Sequence, residues 1–219
     1  MISANVPCRS SDANQTRQQF ISDVFHALSQ PLAALRCSLE VALLKNRSAD
    51  EYRSIIENAL IQTERAIQSA SFVRQMAEAE DPGHPKVFDF GALVAEVAGE
   101  FGLVAGSKGI EVDCKVNSSA SVCADPQRVQ RALFYVFDAA LSSADSDSTL
   151  FVTLDSKESF LRLVVAASGA RAVCHNLQED ASDRGMALAE RIVVAACGVL
   201  RRESRNPFCC VMELPSLAS

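Results

Sequence analysis

The most constraining feature of this chain is a long, glycine-poor stretch from Thr16 to Glu80 with helical periodicity. Apolar side chains recur in it at three- and four-residue steps, which places them on one face of a helix. In the first part of the stretch this stripe comprises Ile21, Val24, Phe25, Leu28, Leu32, Leu35, Leu39 and Ala42. The segment NRSADEY interrupts the stripe, and Ser48 followed by Glu51 forms a capping box that predicts the start of a second helix. The stretch therefore predicts a helical hairpin.

The second helix carries an apolar stripe of its own. Its members are Tyr52, Ile55, Ile56, Ala59, Ala66, Ile67, Ala70, Val73 and Ala77. Two helices of about 30 residues each cannot bury such wide stripes against one another alone. We therefore expect a partner hairpin from a second copy of the chain, so that a homodimer forms a four-helix bundle.

The texture of the sequence changes after the segment DPGHPK, whose prolines and glycine predict a linker at residues 81–86. Six strands are predicted at IEVDCKV, SVCA, TLFVTLDS, FLRLVVAAS, VLRRES and FCCVMELP, the last four forming two hairpins. Three helices are predicted at GALVAEVAGEFGLVA, DPQRVQRALFYVFDAALSSA and GMALAERIVVAACG. Asp125 is the expected N-cap of the second of these with Pro126 in its first turn, and Gly198 is the expected end of the third. Helices collected on one face of a mostly antiparallel sheet make an α+β sandwich.

The predicted organisation has four parts. Residues 1–15 form a flexible N-terminus, residues 16–80 the hairpin, residues 81–86 the linker and residues 87–219 the sandwich.

Composition and charge exclude several classes of partner. The net charge is −6 and no Lys/Arg-rich block occurs, so nucleic acid is not expected to bind. No apolar run reaches the roughly 18 residues of a membrane span, and the first residues lack the pattern of a signal peptide, so we expect a cytoplasmic protein. The eight cysteines show no metal-ligand spacing with the three histidines. We expect most of them to be buried reduced thiols, and the neighbours Cys209 and Cys210 are assigned no role.

The first helix contains two residues that are unusual in such a position, His26 and Pro31. The helical neighbours of His26 three and four positions away are the polar residues Ser22, Asp23, Ser29 and Gln30. His26 should therefore face water, opposite the apolar stripe. Pro31 lacks an N–H and presses on the carbonyl of Ala27, which loosens the turn next to the histidine.

The segment FHALSQPLAAL resembles the H-box of bacterial sensor histidine kinases, particularly the subgroup reading His-Glu-x-Asn-Gln-Pro-Leu-x-x-Ile. The hairpin is similar to their dimerisation and phosphoacceptor domain, and residues 87–219 have the size of their Bergerat-type ATP-binding domain. The resemblance implies that His26 is the phosphoacceptor, and Gln30, one turn along, could assist the reaction or hydrogen-bond the phosphoryl group. It departs from the family at Ala27, where active kinases have an acid that can serve as general base.

The resemblance continues into the motifs that bind nucleotide in the family. Residues that match the start of the family's N-box helix are Asp125, Arg128, Val129 and Leu133. The consensus Asn-Leu-x-x-Asn-Ala then falls on residues 135–140, and the asparagine that holds magnesium falls on Ala139, which offers no oxygen ligand. A shift by one residue would bring Asp138 to this position but would break the register set by Asp125 and Arg128.

Two further motifs depart from the family. The Asp-x-Gly-x-Gly motif falls on residues 167–171, where Ala167 replaces the aspartate that recognises adenine and Arg171 replaces the last glycine. The Gly-x-Gly-Leu-Gly-Leu loop falls on residues 183–188, where the Asp183 carboxylate would repel phosphate. The connection between Arg171 and Asp183 is short for an ATP lid. We therefore expect that this chain binds neither nucleotide nor metal.

These departures favour a histidine phosphotransfer protein of a two-component phosphorelay. His26 would accept a phosphoryl group from the aspartate of one response-regulator receiver domain and pass it to another, and the receiver would bring its own magnesium. Residues 87–219 would act as a docking surface for the receiver. A second hypothesis is a catalytically silent adaptor that binds or sequesters receivers or kinases. A third is an ATP-dependent kinase with unusual contacts.

Overall fold

The computed structural model describes residues 29–44, 46–117, 121–157, 159–169 and 177–217, the last range as backbone alone up to residue 181. The chain divides into two compact units, Met1–Arg74 and Gln75–Ser219. The division falls ahead of the segment 81–86 that the sequence marks as the linker. The two units are described separately below.

In its described residues the first unit contains two helices, α1 at residues 29–43 and α2 at Ala49–Ala79. The residues of α2 up to Arg74 belong to this unit. The predicted capping box at the start of α2 is confirmed. The backbone N–H of Ser48 donates to Oε2 of Glu51 at 2.9 Å, and the N–H of Glu51 donates to Oγ of Ser48 at 3.2 Å. Two backbone donors that have no partner within the helix are satisfied in this way.

The described part of the second unit holds a five-stranded sheet, a two-stranded sheet and three helices. The helices are α3 at Phe90–Ser107, α4 at Pro126–Ser143 and α5 at Leu177–Ala195. The strands are β1 (Lys86–Asp89), β2 (Glu111–Val116), β3 (Ser121–Ala124), β4 (Thr149–Lys157), β5 (Phe160–Ala167), β6 (Val199–Arg205) and β7 (Phe208–Pro215). The large sheet has the order β2-β4-β5-β7-β6, and within it only the pair β2–β4 is parallel. The predicted α+β sandwich is confirmed.

The core of the second unit lies between the large sheet and α4. Every second residue of the central strands is buried, as the strand period of two requires for a sheet with one covered face. These residues are Leu150, Val152, Leu154, Leu161, Leu163 and Val165. Phe137 of α4 is fully buried, and its ring lies 5.3 Å from that of Phe101 in α3.

The start of α4 agrees with its sequence. Asp125 is the N-cap, its carboxylate accepts from the N–H groups of Gln127 and Arg128, and Pro126 occupies the first turn. The proline costs nothing at this position because its missing N–H would have no partner in the first turn.

Strand β1 and the bounds of α5 differ from the sequence prediction. β1 was not predicted, and it pairs antiparallel with β3 in the two-stranded sheet. Helix α5 begins at Leu177, eight residues before the predicted segment, which started at Gly185, and ends at Ala195 rather than at Gly198. The left-handed residue after the helix is Cys197, with φ of 59°, and the N–H of Gly198 donates to the carbonyl of Val193.

Gly198 is needed for a different reason. A Cβ atom at this position would lie 2.5 Å from the backbone oxygen of Glu213 in β7. The glycine lets the end of α5 approach the sheet closely. The sequence predicted Gly198 only as a helix terminator, because the contact with β7 cannot be recognised from the residues around the glycine.

Within the described residues, α3 alone is long and apolar enough to cross a membrane by length and composition. Its mean hydropathy passes this test although Glu96 and Glu100 interrupt the apolar run. The helix buries Val94, Val97 and Ala98, and about a third of its residues are buried in total.

The cysteines also differ from expectation. The six that lie in the described part of the chain are free thiols, but only Cys210 is buried, while Cys37, Cys114, Cys123 and Cys197 are exposed. Burial raises the pKa of the Cys210 thiol to about 12. Cys210 is therefore protonated and unreactive at neutral pH.

Candidate functional site

The hairpin helix α1 carries the described part of the predicted phosphotransfer site. His26 lies outside the described residues, so its role stays a prediction. Gln30 is exposed, and Pro31 beside it is buried. The amide of Gln30 is accordingly available to a partner that approaches this end of α1.

The positions that match the N-box lie on α4. Ala139 is only 2% exposed, whereas the adjacent Asp138 is exposed. The methyl group of Ala139 faces the core and cannot coordinate a cation, since magnesium requires oxygen ligands. No cluster of His, Cys, Asp and Glu side chains suitable for a metal occurs in the described part of the chain.

The end of β5 carries the first positions of the second motif. Ala167 is 6% exposed and pairs with Leu150 of β4. The next residue, Ser168, is joined to Thr149 twice: its N–H donates to the Thr149 carbonyl, and its hydroxyl accepts from the Thr149 N–H, each at 2.8 Å. Neither position presents a carboxylate for an adenine amino group, and Arg171 lies outside the described residues.

The positions that match the phosphate loop lie within helix α5. Residues 183–188 all fall inside the helix, where backbone N–H groups donate to carbonyls four residues earlier and are not free to hold phosphate. The carboxylate of Asp183 is bound by Arg202 at 2.8 Å and by Arg205 at 3.1 Å, both on β6. The positive charges of Arg202 and Arg205 are thus already paired with the Asp183 carboxylate.

Helices α4 and α5 pack directly together at two of these motif positions. Gly185, the central residue of the loop motif, is buried against the ring of Tyr135, the first residue of the N-box match. A Cβ at Gly185 would lie 3.1 Å from Cδ1 of Tyr135. The two helices therefore touch at positions that match two of the family's motifs, the loop motif on α5 and the N-box on α4.

Asp125 and Arg128 have more contacts than the sequence indicated. Asp125 accepts a hydrogen bond from the backbone N–H of His84 at 2.8 Å, in addition to capping α4. The pKa of the Asp125 carboxyl is lowered mainly by the hydrogen bond from His84. The N–H groups of Arg128 and Gln127 and the charge of Arg128 lower this pKa further, whereas burial raises it. Because the folded pKa is depressed, this stabilisation is present above the ordinary aspartate pKa and is lost as the pH falls through the lowered value. The partner lies 41 residues away, so no pattern near Asp125 in the sequence indicated this contact.

A helical hairpin and an α+β sandwich with α4 and α5 on its sheet are the two parts that the sequence resemblance to histidine kinases predicts. Curated relatives agree. The chain is 31% identical over 137 residues to the sensor protein IrlS of Burkholderia pseudomallei, which covers 61% of this chain and 29% of IrlS. It is 25% identical over 145 residues to the sensor protein CzcS of Cupriavidus metallidurans, covering 65% of this chain and 30% of CzcS.

Solved structures show the same fold. Acinetobacter baumannii histidine kinase AdeS matches with a TM-score of 0.56 and 15% identity, over 88% of this chain and 98% of that one. Histidine kinase ThkA, in complex with the response regulator protein TrrA, matches with a TM-score of 0.58 and 16% identity, over 99% of this chain and 69% of that one. No family model matches the sequence. The matched region spans about three tenths of the length of the curated relatives.

Proposed function

We propose that this chain is a histidine phosphotransfer protein that carries phosphoryl groups between receiver aspartates and does not use ATP. The observation that carries the proposal is the placement of the phosphate-loop positions inside helix α5, with the Asp183 carboxylate held by Arg202 and Arg205. A triphosphate would have to displace this carboxylate and unwind the helix. The exposed side chain of Gln30 on α1 meets no such obstacle.

The proposed reaction needs little from the chain beyond His26. A nitrogen of the neutral imidazole attacks the phosphorus of a receiver aspartyl phosphate, so that a P–N bond forms while the P–O bond to the aspartate breaks. The aspartate leaves as a carboxylate, and the ring loses the proton of its other nitrogen to solvent. Magnesium comes from the receiver, and transfer to a second receiver reverses the steps. Gln30 can donate a hydrogen bond to the phosphoryl oxygens.

The absence of an acid at Ala27 fits transfer from a receiver aspartyl phosphate to His26. A kinase must deprotonate its histidine for attack on ATP, whereas an aspartyl phosphate is a mixed anhydride with a better leaving group. A neutral imidazole near pH 7 is sufficient for such a donor.

The experiment that tests the proposal supplies two donors in parallel. Receiver domains that carry labelled phosphate are mixed with the chain without ATP, and γ-labelled ATP with magnesium is offered in a second reaction. We expect acid-labile label on the chain from at least one receiver and none from ATP. Label from ATP would contradict the proposal, and receiver binding without label would identify the silent adaptor instead.

The proposal includes a homodimer formed by the hairpin in the cytoplasm. Within the single chain, several large apolar side chains of α1 and α2 remain open to solvent. They include Leu32 (52% exposed), Ile56 (57%), Leu60 (64%) and Ile67 (55%). A second hairpin would cover them, which supports the four-helix bundle.

We predict that Ile67→Glu converts the dimer to a monomer, weakening the dimerisation constant by at least about a hundredfold, since an unpaired carboxylate would be buried in the bundle. Light scattering coupled to size exclusion measures the mass. The matched control is Glu57→Gln, which alters a charge on α2 that the structure pairs with Arg53 at the surface. A dimeric Ile67→Glu would show that this stripe does not form the interface.

A further inference from the structure

The chain between the last turn of α2 and strand β1 is bound closely to the rest of the second unit. We call residues 78–84 the strap. All of its residues belong to the compact unit that begins at Gln75. The sequence marks part of this segment as a linker because of its prolines and glycine, yet the structure gives its polar groups specific partners.

Arg128 closes the end of α2. Its Nη1 donates to the carbonyls of Glu78 and Asp81, and its Nη2 lies 3.2 Å from Oδ2 of Asp81. Carbonyls at the end of a helix have no partner inside it and carry a partial negative charge. The last turn of α2 contains no basic residue of its own, so Arg128 supplies the cation from another helix.

Asp125, the N-cap of the same helix, also binds the strap. Its Oδ2 accepts from the N–H of His84 at 2.8 Å, while its Oδ1 caps α4. The N–H of Gly83 donates to Oδ1 of Asp81 at 3.1 Å. Pro82 and Pro85 have no N–H, so the backbone donors of residues 82–85 are those of Gly83 and His84, and both are hydrogen-bonded. One turn of α4 thus caps two helices, its own start and the end of α2.

Gly83 is the residue that permits this approach. Its φ is +68°, a conformation that side chains with a Cβ rarely adopt. A Cβ would also lie 2.5 Å from Oδ2 of Asp125 and 2.6 Å from Nε of Arg128. A side chain at this position would strain the backbone, and Asp125, Arg128 or the strap itself would have to shift.

A further contact fastens the strap to α5. The carboxylate of Glu80 forms an ion pair with Nη1 of Arg191. The strap is therefore attached to α4 by Arg128 and Asp125 and to α5 by Arg191. A cleft of about 490 Å³ opens beside it, lined by Arg131 and Tyr135 among others. His84 is exposed at this cleft. If the backbone amides of the strap exchange slowly with solvent hydrogen, the cause would therefore be their hydrogen bonds rather than burial.

We propose that the strap is a permanent fastening, and that the proline-glycine segment is not the pivot between the hairpin and the sandwich. The end of α2 and residues 81–84 then stay with α4 and α5. The inference concerns the fold and does not depend on the phosphotransfer reaction.

Hydrogen exchange of the full-length chain, followed by mass spectrometry, tests the proposal. In the wild type, we expect the peptide that contains Gly83 and His84 to exchange at least about tenfold more slowly than an unprotected chain. Arg128→Gln and Gly83→Ala should accelerate exchange in this peptide about tenfold or more, without changing β4 and β5. Arg131→Gln is the matched control. Arg131 lies one turn after Arg128 on α4 and carries the same charge, but it makes none of the strap contacts described above. This variant should exchange as the wild type does.

Two outcomes would overturn the proposal. One is wild-type exchange in this peptide at the rate of an unprotected chain, a result that needs no variant and so does not depend on whether the variants fold. The other is unchanged exchange in both Arg128→Gln and Gly83→Ala while β4 and β5 remain protected.

Discussion

His26→Ala is expected to abolish uptake of phosphate from every receiver that labels the wild type, a loss of at least about a thousandfold. The imidazole nitrogen is the nucleophile of the proposed reaction, and a methyl group has no lone pair with which to attack phosphorus. Receiver binding should change little, because the substitution removes the reacting atom and leaves the neighbouring residues of the chain unchanged. The measurement is the rate of label transfer at several receiver concentrations, which separates loss of chemistry from loss of binding.

The chain offers matched controls for this prediction in its other two histidines, His84 and His175. His84 contributes its backbone N–H to the strap, so His84→Ala should keep that bond and transfer at the wild-type rate. Label that persists on His26→Ala and disappears from either control variant would place the phosphoacceptor elsewhere and overturn the assignment of His26.

Local interactions made parts of the fold predictable. The capping box joins residues three apart, Ser48 and Glu51, and the N-cap Asp125 binds residues two and three positions ahead. Such contacts are written into a few consecutive residues, so the starts of α2 and α4 could be predicted. The two hairpins of the sheet were equally visible, because alternation and turn residues are also local.

Elements that depend on distant partners were missed. Strand β1 has four residues and exists because Lys86–Asp89 pair with Ser121–Ala124, more than thirty positions further along the chain. Its own residues show no alternation long enough to predict a strand. The position of Gly198 likewise depends on the backbone of Glu213, which no pattern near the glycine reveals.

The candidate site divides in the same way. Through its resemblance to the family's motifs, the sequence predicts that Ala139 and Ala167 replace ligand residues and that Asp183 replaces a glycine of the phosphate loop. The contacts that the residues at the motif positions make instead could not be predicted from the sequence. The partners of Asp183 lie on β6, and Gly185 packs on Tyr135 fifty positions earlier. A missing motif predicts the loss of one interaction, whereas its replacement depends on how the helices and the sheet pack.

Phe137→Ala is expected to lower the free energy of unfolding of the second unit by about 3–5 kcal/mol. Phe137 is fully buried, and its ring packs on Phe101, so truncation leaves a cavity that the surrounding sheet and helices cannot fill. Urea unfolding followed by circular dichroism measures the loss. Phe134→Ala is the matched control on the same helix, since Phe134 also contacts the ring of Phe101 but is 36% exposed. Its cost should be about 1 kcal/mol, and equal losses would contradict the assignment of the core.

The same variant separates two roles for the sandwich in the proposed function. At a temperature where the wild-type unit is folded and the Phe137→Ala unit is not, a docking surface would be lost while His26 on the hairpin remains. The receiver concentration needed for half-maximal transfer should then rise, and the rate at saturating receiver should stay near that of the wild type. A fall in the saturating rate at an unchanged half-maximal concentration would instead assign the sandwich a part in the chemistry. That result would contradict the proposal that the hairpin supplies the reacting group unaided.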